Sequence, residues 1–176
     1  MITIIDFEAS GLESDSYPIQ VAWNINDEVH SHFINPDFVP DWQGWSVASE
    51  AVHGLSREFL REHGEHPNDV ARIMNASLDG SVIYSDAVPF DKNWCERLFE
   101  VSDENMAFLF DDFWTKLAEF RPSGIRDIGA YGVTEWTSLL IKQAKKNVGL
   151  RDHLADNDVI IRMEIMRLAM EEKGMR

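Results

Sequence analysis

Cysteine is nearly absent from this sequence. The single Cys95 excludes an internal disulfide and a cysteine-built zinc site. Such scarcity suits a reducing compartment, so a cytoplasmic location is the default expectation. No apolar run approaches the roughly 20 residues of a membrane-spanning helix, so no membrane partner is expected. Residues 1–6 lack a basic flank and are too short for a secretory leader, so they read as a strand of the mature fold. Repeats, low-complexity tracts and flexible linkers are missing too, and one domain over residues 1–176 is expected. No Asp-x-Asp-x-Asp-Gly loop with a trailing Glu occurs, which argues against a calcium-loop protein.

Positive charge is the most telling deficit. Sixteen Lys and Arg face thirty-one Asp and Glu, a net charge of −15. A protein that coats long nucleic acid carries a basic stripe and releases counterions from the phosphates. This chain has no such surplus. The only short basic cluster is Lys142, Lys145 and Lys146, close in sequence to Arg151. It reads either as a grip on a strand or as a solvated helix C-terminus favoured by the dipole. Any nucleic-acid partner should therefore be single-stranded or short, with cations screening an acidic site.

What is present is the 44% hydrophobic and 27% charged composition of a globular chain of 176 residues. Residues 2–6 are β-branched and apolar, the mark of a buried strand. Residues 19–26 and 29–35 read as two more strands, joined at Asn26-Asp27 in a hairpin. Pro36 to Ser49 looks irregular and holds Trp42 and Trp45, which either stack on bases or fill core under that loop. Ser56 caps a helix through about Glu62, and Pro67 opens another through about Ser77. Residues 81–86 form a fourth strand, Pro89-Phe90 turns into a helix bearing Trp94, and Met106–Phe110 form a fifth strand with a helix after it to Phe120. Helices follow over 134–147 and 154–172, the last carrying Met163, Met166 and Met170 as core or interface. An antiparallel meander followed by alternating strands and helices predicts an α/β fold, a mixed sheet flanked by helices.

Three groups of residues could carry chemistry. Asp6 and Glu8 lie two apart on a strand, hence on one face, where two carboxylates repel unless a hard divalent cation joins them. This is the only Asp-x-Glu in the chain, yet the spacing alone is a weak motif. Asp91 opens a helix just after a strand, and taken alone it reads better as a residue that complements the helix dipole. His153 and Asp158 pair a proton acceptor with a ligand at the start of the last helix. The same His-x₄-Asp spacing occurs once more, at His32 and Asp37, and Asp152, Asp156 and Asp158 could be a solvated acidic turn.

In order along the chain these groups resemble a family. Ile4-Ile5-Asp6-Phe7-Glu8-Ala9-Ser10-Gly11-Leu12 resembles the first motif of the DEDDh 3′–5′ exonucleases, the proofreading-subunit and RNase T group. Val52-His53-Gly54-Leu55-Ser56 is similar to that family's HGIT-type loop, Phe90-Asp91 to the end of its second motif, and Gly149-Leu150 with His153 and Asp158 to its third. The second motif usually reads His-Asn-Ala-x-Phe-Asp; here Asp86 and Ala87 replace the His and Asn, and Leu154 replaces the Arg of the third.

The resemblance implies a ribonuclease H-like fold and hydrolysis from a free 3′ end that releases nucleoside 5′-monophosphates. It implies two divalent cations, Mg²⁺ or Mn²⁺, held by Asp6, Glu8, Asp91 and Asp158, with His153 as general base. It places the terminal nucleotide against Ala9, Leu12, His53 and Phe90. Many members dimerise, and a homodimer is compatible with the chain, although no sequence feature demonstrates one. The competing expectation is the same fold kept as a non-catalytic module of a DNA or RNA processing complex. All five presumed catalytic residues being present argues for the enzyme.

Overall fold

A computed structural model describes residues 2–124 and 135–174. Among the described residues five strands form one sheet: β1 (Thr3–Ala9), β2 (Pro18–Ile25), β3 (Glu28–Phe33), β4 (Val82–Ser85) and β5 (Leu109–Asp112), in the spatial order β3-β2-β1-β4-β5. β1, β2 and β3 are antiparallel neighbours, whereas β4 runs parallel to β1 and β5 parallel to β4. The expected meander and parallel extension are therefore both present. Asn26 takes a left-handed φ of 55° at the β2–β3 turn, a conformation asparagine tolerates well.

Seven α-helices cover the two faces among the described residues: α1 (Val47–His53), α2 (Arg57–His63), α3 (Pro67–Leu78), α4 (Val88–Glu100), α5 (Phe113–Ala118), α6 (Glu135–Val148) and α7 (Ala155–Glu172). Alternation along β1 sorts its side chains. Ile5 and Phe7 join a core with Trp23, Leu60, Met74 and Leu98, on the side of α2, α3 and α4. Ile4 faces the other way, into a core with Phe113, Trp136, Leu140, Val159 and Ile165, on the side of α5, α6 and α7. Asp6 and Glu8 share the Ile4 face by the same alternation, so they look toward α7. β2 is buried along nearly its whole length because both layers press on it.

Several boundaries differ from the sequence reading. The stretch taken as irregular ends in α1, which Ser46 opens by accepting a bond from the Ser49 amide and Gly54 closes at φ 77°. Trp42 is buried and stacks on Tyr17 with ring centroids 4.9 Å apart, so the core reading of that residue holds and base stacking by it does not. Trp45 is half-buried, and its indole donates to Glu50. The fifth strand lies at Leu109–Asp112 rather than 106–110, because the register with β4 pairs Val82 with Leu109 and Ser85 with Asp112. Phe108 is core instead. Residue 134, the expected start of the penultimate helix, lies outside the described residues. No described helix is long and apolar enough to cross a membrane.

Candidate nuclease active site

The parallel pair β1 and β4 delivers acidic residues at adjacent carboxyl ends, the place where open α/β sheets take ligands. β1 brings Asp6 and Glu8, and the chain leaving β4 brings Asp86. The first turn of α4 adds Asp91, and the first turn of α7 adds Asp158. A cleft of about 310 Å³ opens between these elements, and its walls include all five of these carboxylates and His153.

Asp6 is the common member of two carboxylate triads. One is Asp6, Asp86 and Asp91; the other is Asp6, Glu8 and Asp158. In each triad one ligand oxygen per residue lies within 4.8 Å of the others. Crowding of like charge and burial both work against an ionised carboxyl. Burial first, then Asp91, Asp158, Asp86 and Glu8, pushes Asp6 well above the usual carboxylate range. Burial and Asp158 push Glu8 up to about 8. Asp91 is also raised well above its ordinary value by burial, against a lowering hydrogen bond from the Ser85 hydroxyl. Burial raises Asp158, while Arg162 and the His153 amide pull it down. A cluster of oxygen donors of this kind is the donor set of a hard divalent cation, which these residues could hold.

Local structure explains how each ligand is held. Buried Ser85 at the end of β4 accepts a bond from the Ala87 amide at 2.9 Å and donates to Asp91 Oδ2, so one hydroxyl sets both the turn and the ligand. Gln20, buried on β2, accepts from the Ala155 amide at 3.2 Å and donates to Asp156 at 3.1 Å. It therefore supplies the cap that Leu154 cannot give to α7. Farther along α7, Val159, Ile161, Ile165 and Met166 are buried, each contributing about 1.5–3 kcal/mol of apolar burial. That packing fixes Asp158 against β1.

His153 sits two residues before α7, exposed, with a left-handed φ of 64°. Its amide donates to Asp158 Oδ2 at 2.8 Å, which ties the backbone of the candidate base to a candidate ligand. Leu12 and Phe90 also line the cleft and are 70% and 48% exposed, so the acidic floor has two bare apolar flanks. Lys145 reaches the same cleft and pairs with Asp152 at 2.5 Å. Lys142 and Lys146 are exposed on α6.

Ala9 and His53 are buried and are not among the cleft walls. His53 Nδ1 accepts from the Leu55 amide at 3.0 Å, while its Nε2 is buried without a hydrogen-bond partner among the described residues. Burial lowers its imidazole from the ordinary value. The end of α1 is tied from outside, since Arg151 Nη2 donates to the Val52 carbonyl at 2.7 Å. A side chain at Gly54 would meet that guanidinium at 3.2 Å.

The sequence reading missed Ser85, Gln20 and Arg162. Arg162 follows Asp158 by four residues and looks there like an ordinary helix-surface pair. In the fold it bonds Asp86 through Nε at 2.9 Å and through Nη2. The only signal for it was the unexplained acid at position 86.

No family model and no curated protein matches this sequence. Solved structures do. E. coli Exonuclease I in complex with a dA13 oligonucleotide is 18% identical with a TM-score of 0.61; the match covers 98% of this chain and 42% of that one. Its zinc-bound complex with single-stranded DNA is 16% identical, TM-score 0.61, with coverage of 98% and 40%. Exonuclease X in complex with 5′-overhanging duplex DNA is 21% identical with a TM-score of 0.64, and the match covers 100% of this chain and 95% of that one. The present chain thus spans less than half of the Exonuclease I chain and nearly all of Exonuclease X. At these identities the likeness establishes the architecture: the chain has the ribonuclease H-like mixed α/β fold of these exonucleases.

Proposed function

We propose that this chain is a metal-dependent 3′–5′ exonuclease that releases nucleoside 5′-monophosphates from single-stranded or short nucleic acid. The observation that carries the reading is Asp6, shared by two carboxylate triads at the carboxyl ends of β1 and β4, with an exposed histidine on the rim.

Asp6, Glu8, Asp91 and Asp158 would hold two divalent cations, Mg²⁺ or Mn²⁺. When bound, these supply Lewis acidity at the scissile phosphate and activate water. His153 takes the proton of the attacking water on an imidazole open to solvent, and the Asp158–amide bond keeps that imidazole beside the ligands. Leu12 and Phe90 clasp the terminal base between apolar surfaces, which suits sequence-independent trimming. Ala9 and His53, buried outside the cleft walls, would support the nucleotide seat from behind rather than touch the base. Lys145 offers a positive charge to the incoming strand. With −15 overall, a long duplex has little else to hold it, which favours single strands. A homodimer and a cytoplasmic location are expectations of the same reading.

The test is a gel assay on 5′-labelled single-stranded DNA and RNA of equal sequence, with Mn²⁺, with Mg²⁺ and with EDTA, beside Asp6→Ala. A cation-dependent ladder that shortens from the 3′ end and vanishes in the variant is the expected result. Absence of cleavage under every cation would leave the non-catalytic module as the better account. Cleavage of a circular single strand would point to an endonuclease.

A further inference from the structure

Position 86 carries a carboxylate where the motif resembled by the sequence has histidine, and the structure puts that carboxylate in the cleft rather than in solvent. Its ligand oxygen lies within 4.8 Å of those of Asp6 and Asp91. The group is also held on two sides. Trp114 Nε1 of α5 donates to the Asp86 backbone carbonyl at 3.2 Å. Arg162 of α7 donates from Nε and Nη2, and both bonds fall on Oδ2. Oδ1 has no hydrogen bond among the described residues and can turn to a cation. Arg162 is itself immobilised, with its guanidinium carbon 5.9 Å from the Trp114 ring and Nη1 3.9 Å from Asp158 Oδ1.

We propose that Asp86 is an additional ligand for the cation on the Asp91 side of Asp6, and that Arg162 is the positioning residue that aims its carboxylate. The proposal rests on the cation-dependent nuclease reading above. Charge balance supports it. Asp6, Glu8, Asp86, Asp91 and Asp158 carry five negative charges when ionised, and two divalent cations with Arg162 supply five positive ones. Asp86 is half-buried, and beyond its Arg162 partner it brings a further carboxylate oxygen to the acids around Asp6. Having its orientation set by Trp114 and Arg162 before any cation arrives lowers the ordering cost of ligation. The second cation should consequently stay bound without nucleic acid.

The experiment counts Mn²⁺ taken up by the full chain at neutral pH without nucleic acid, from the electron-paramagnetic signal of free Mn²⁺. Wild type is expected to take up two ions and Asp6→Ala to lose both. Asp86→Asn should keep one within about threefold of its wild-type affinity and weaken the other by about tenfold or more, the usual scale for a lost supporting ligand. The double variant Asp86→Asn/Arg162→Gln, which leaves no unpaired guanidinium, is read in the same way if the single variant unfolds. Two ions bound at wild-type affinity after loss of the Asp86 charge would overturn the proposal and leave the nuclease reading standing. No Mn²⁺ uptake by wild type would overturn both.

Discussion

The chain contains the spacing His-x₄-Asp twice, and the fold uses the two copies in opposite ways. His32 on β3 is clasped: Nδ1 meets Glu65 at 2.7 Å, and its ring stacks on Trp23 at 5.2 Å. Asp37 is saturated by Arg57 at 3.1 Å and Arg61 at 2.6 Å, which hold its carboxyl below the ordinary value. His153 has an exposed ring, and Asp158 is pushed up by burial among other acids. Five residues of separation decide nothing by themselves. What separates the copies is the supply of opposite charge: one site is complete as it stands, and the other has oxygens left over.

Loss of a carboxylate should divide the copies most sharply. Asp158→Ala is expected to abolish hydrolysis in the 3′-end assay. Asp37→Ala should leave the rate unchanged and lower the melting temperature by about 1–2 °C, the scale of an exposed ion pair. Equal loss of activity in both would refute the division.

The histidines come next. His153→Ala should slow turnover by about 100-fold or more while Mn²⁺ uptake stays near wild type, as expected for a lost general base. His32→Ala should turn over at nearly the wild-type rate. Comparable damage at His32 would mean that the base has been assigned to the wrong copy.

The smallest effect is a matter of pH. Without cations, burial and Asp158 push Glu8 up to about 8 in the folded chain against an ordinary 4.5, so the folded state holds a proton that the unfolded state has released across that window. Stability from this group is full below about 4.5 and is lost as pH rises through about 8. Asp6, Asp91 and Asp158 shift the same way. Asp37 shifts oppositely, so its contribution is lost as pH falls below its ordinary value. The cation-free melting temperature should therefore fall by several degrees from pH 5 to pH 8, about the shift of a 1–2 kcal/mol change, and Mn²⁺ should flatten the decline. A flat cation-free profile would contradict the crowding at Asp6.

Much of this was legible in the residues. The apolar run into Asp6 and the Asn26-Asp27 turn give the meander, because alternation and turn chemistry are local. Pro67 and Ser56 mark their helices for the same reason. α1 escaped because seven residues are too few for a helical period to show, although Ser46 and Gly54 bracket it. β5 was displaced because its register comes from β4, a partner far away in sequence. The acids at 6, 8, 91 and 158 could be named through their order along the chain. The pairing of Asp86 with Arg162 could not, since 76 residues separate two side chains that meet only across the cleft.

Gly54 has a bearing on how this chain can diverge. Its left-handed backbone disfavours any side chain, and a Cβ there would press on Arg151, two residues before His153. A substitution just after α1 would thus be felt at Arg151, next to the turn that carries His153. Sequence drift at position 54 is constrained by a residue almost a hundred positions away, and a variant library aimed at the nucleotide seat would do well to vary 54 and 151 together.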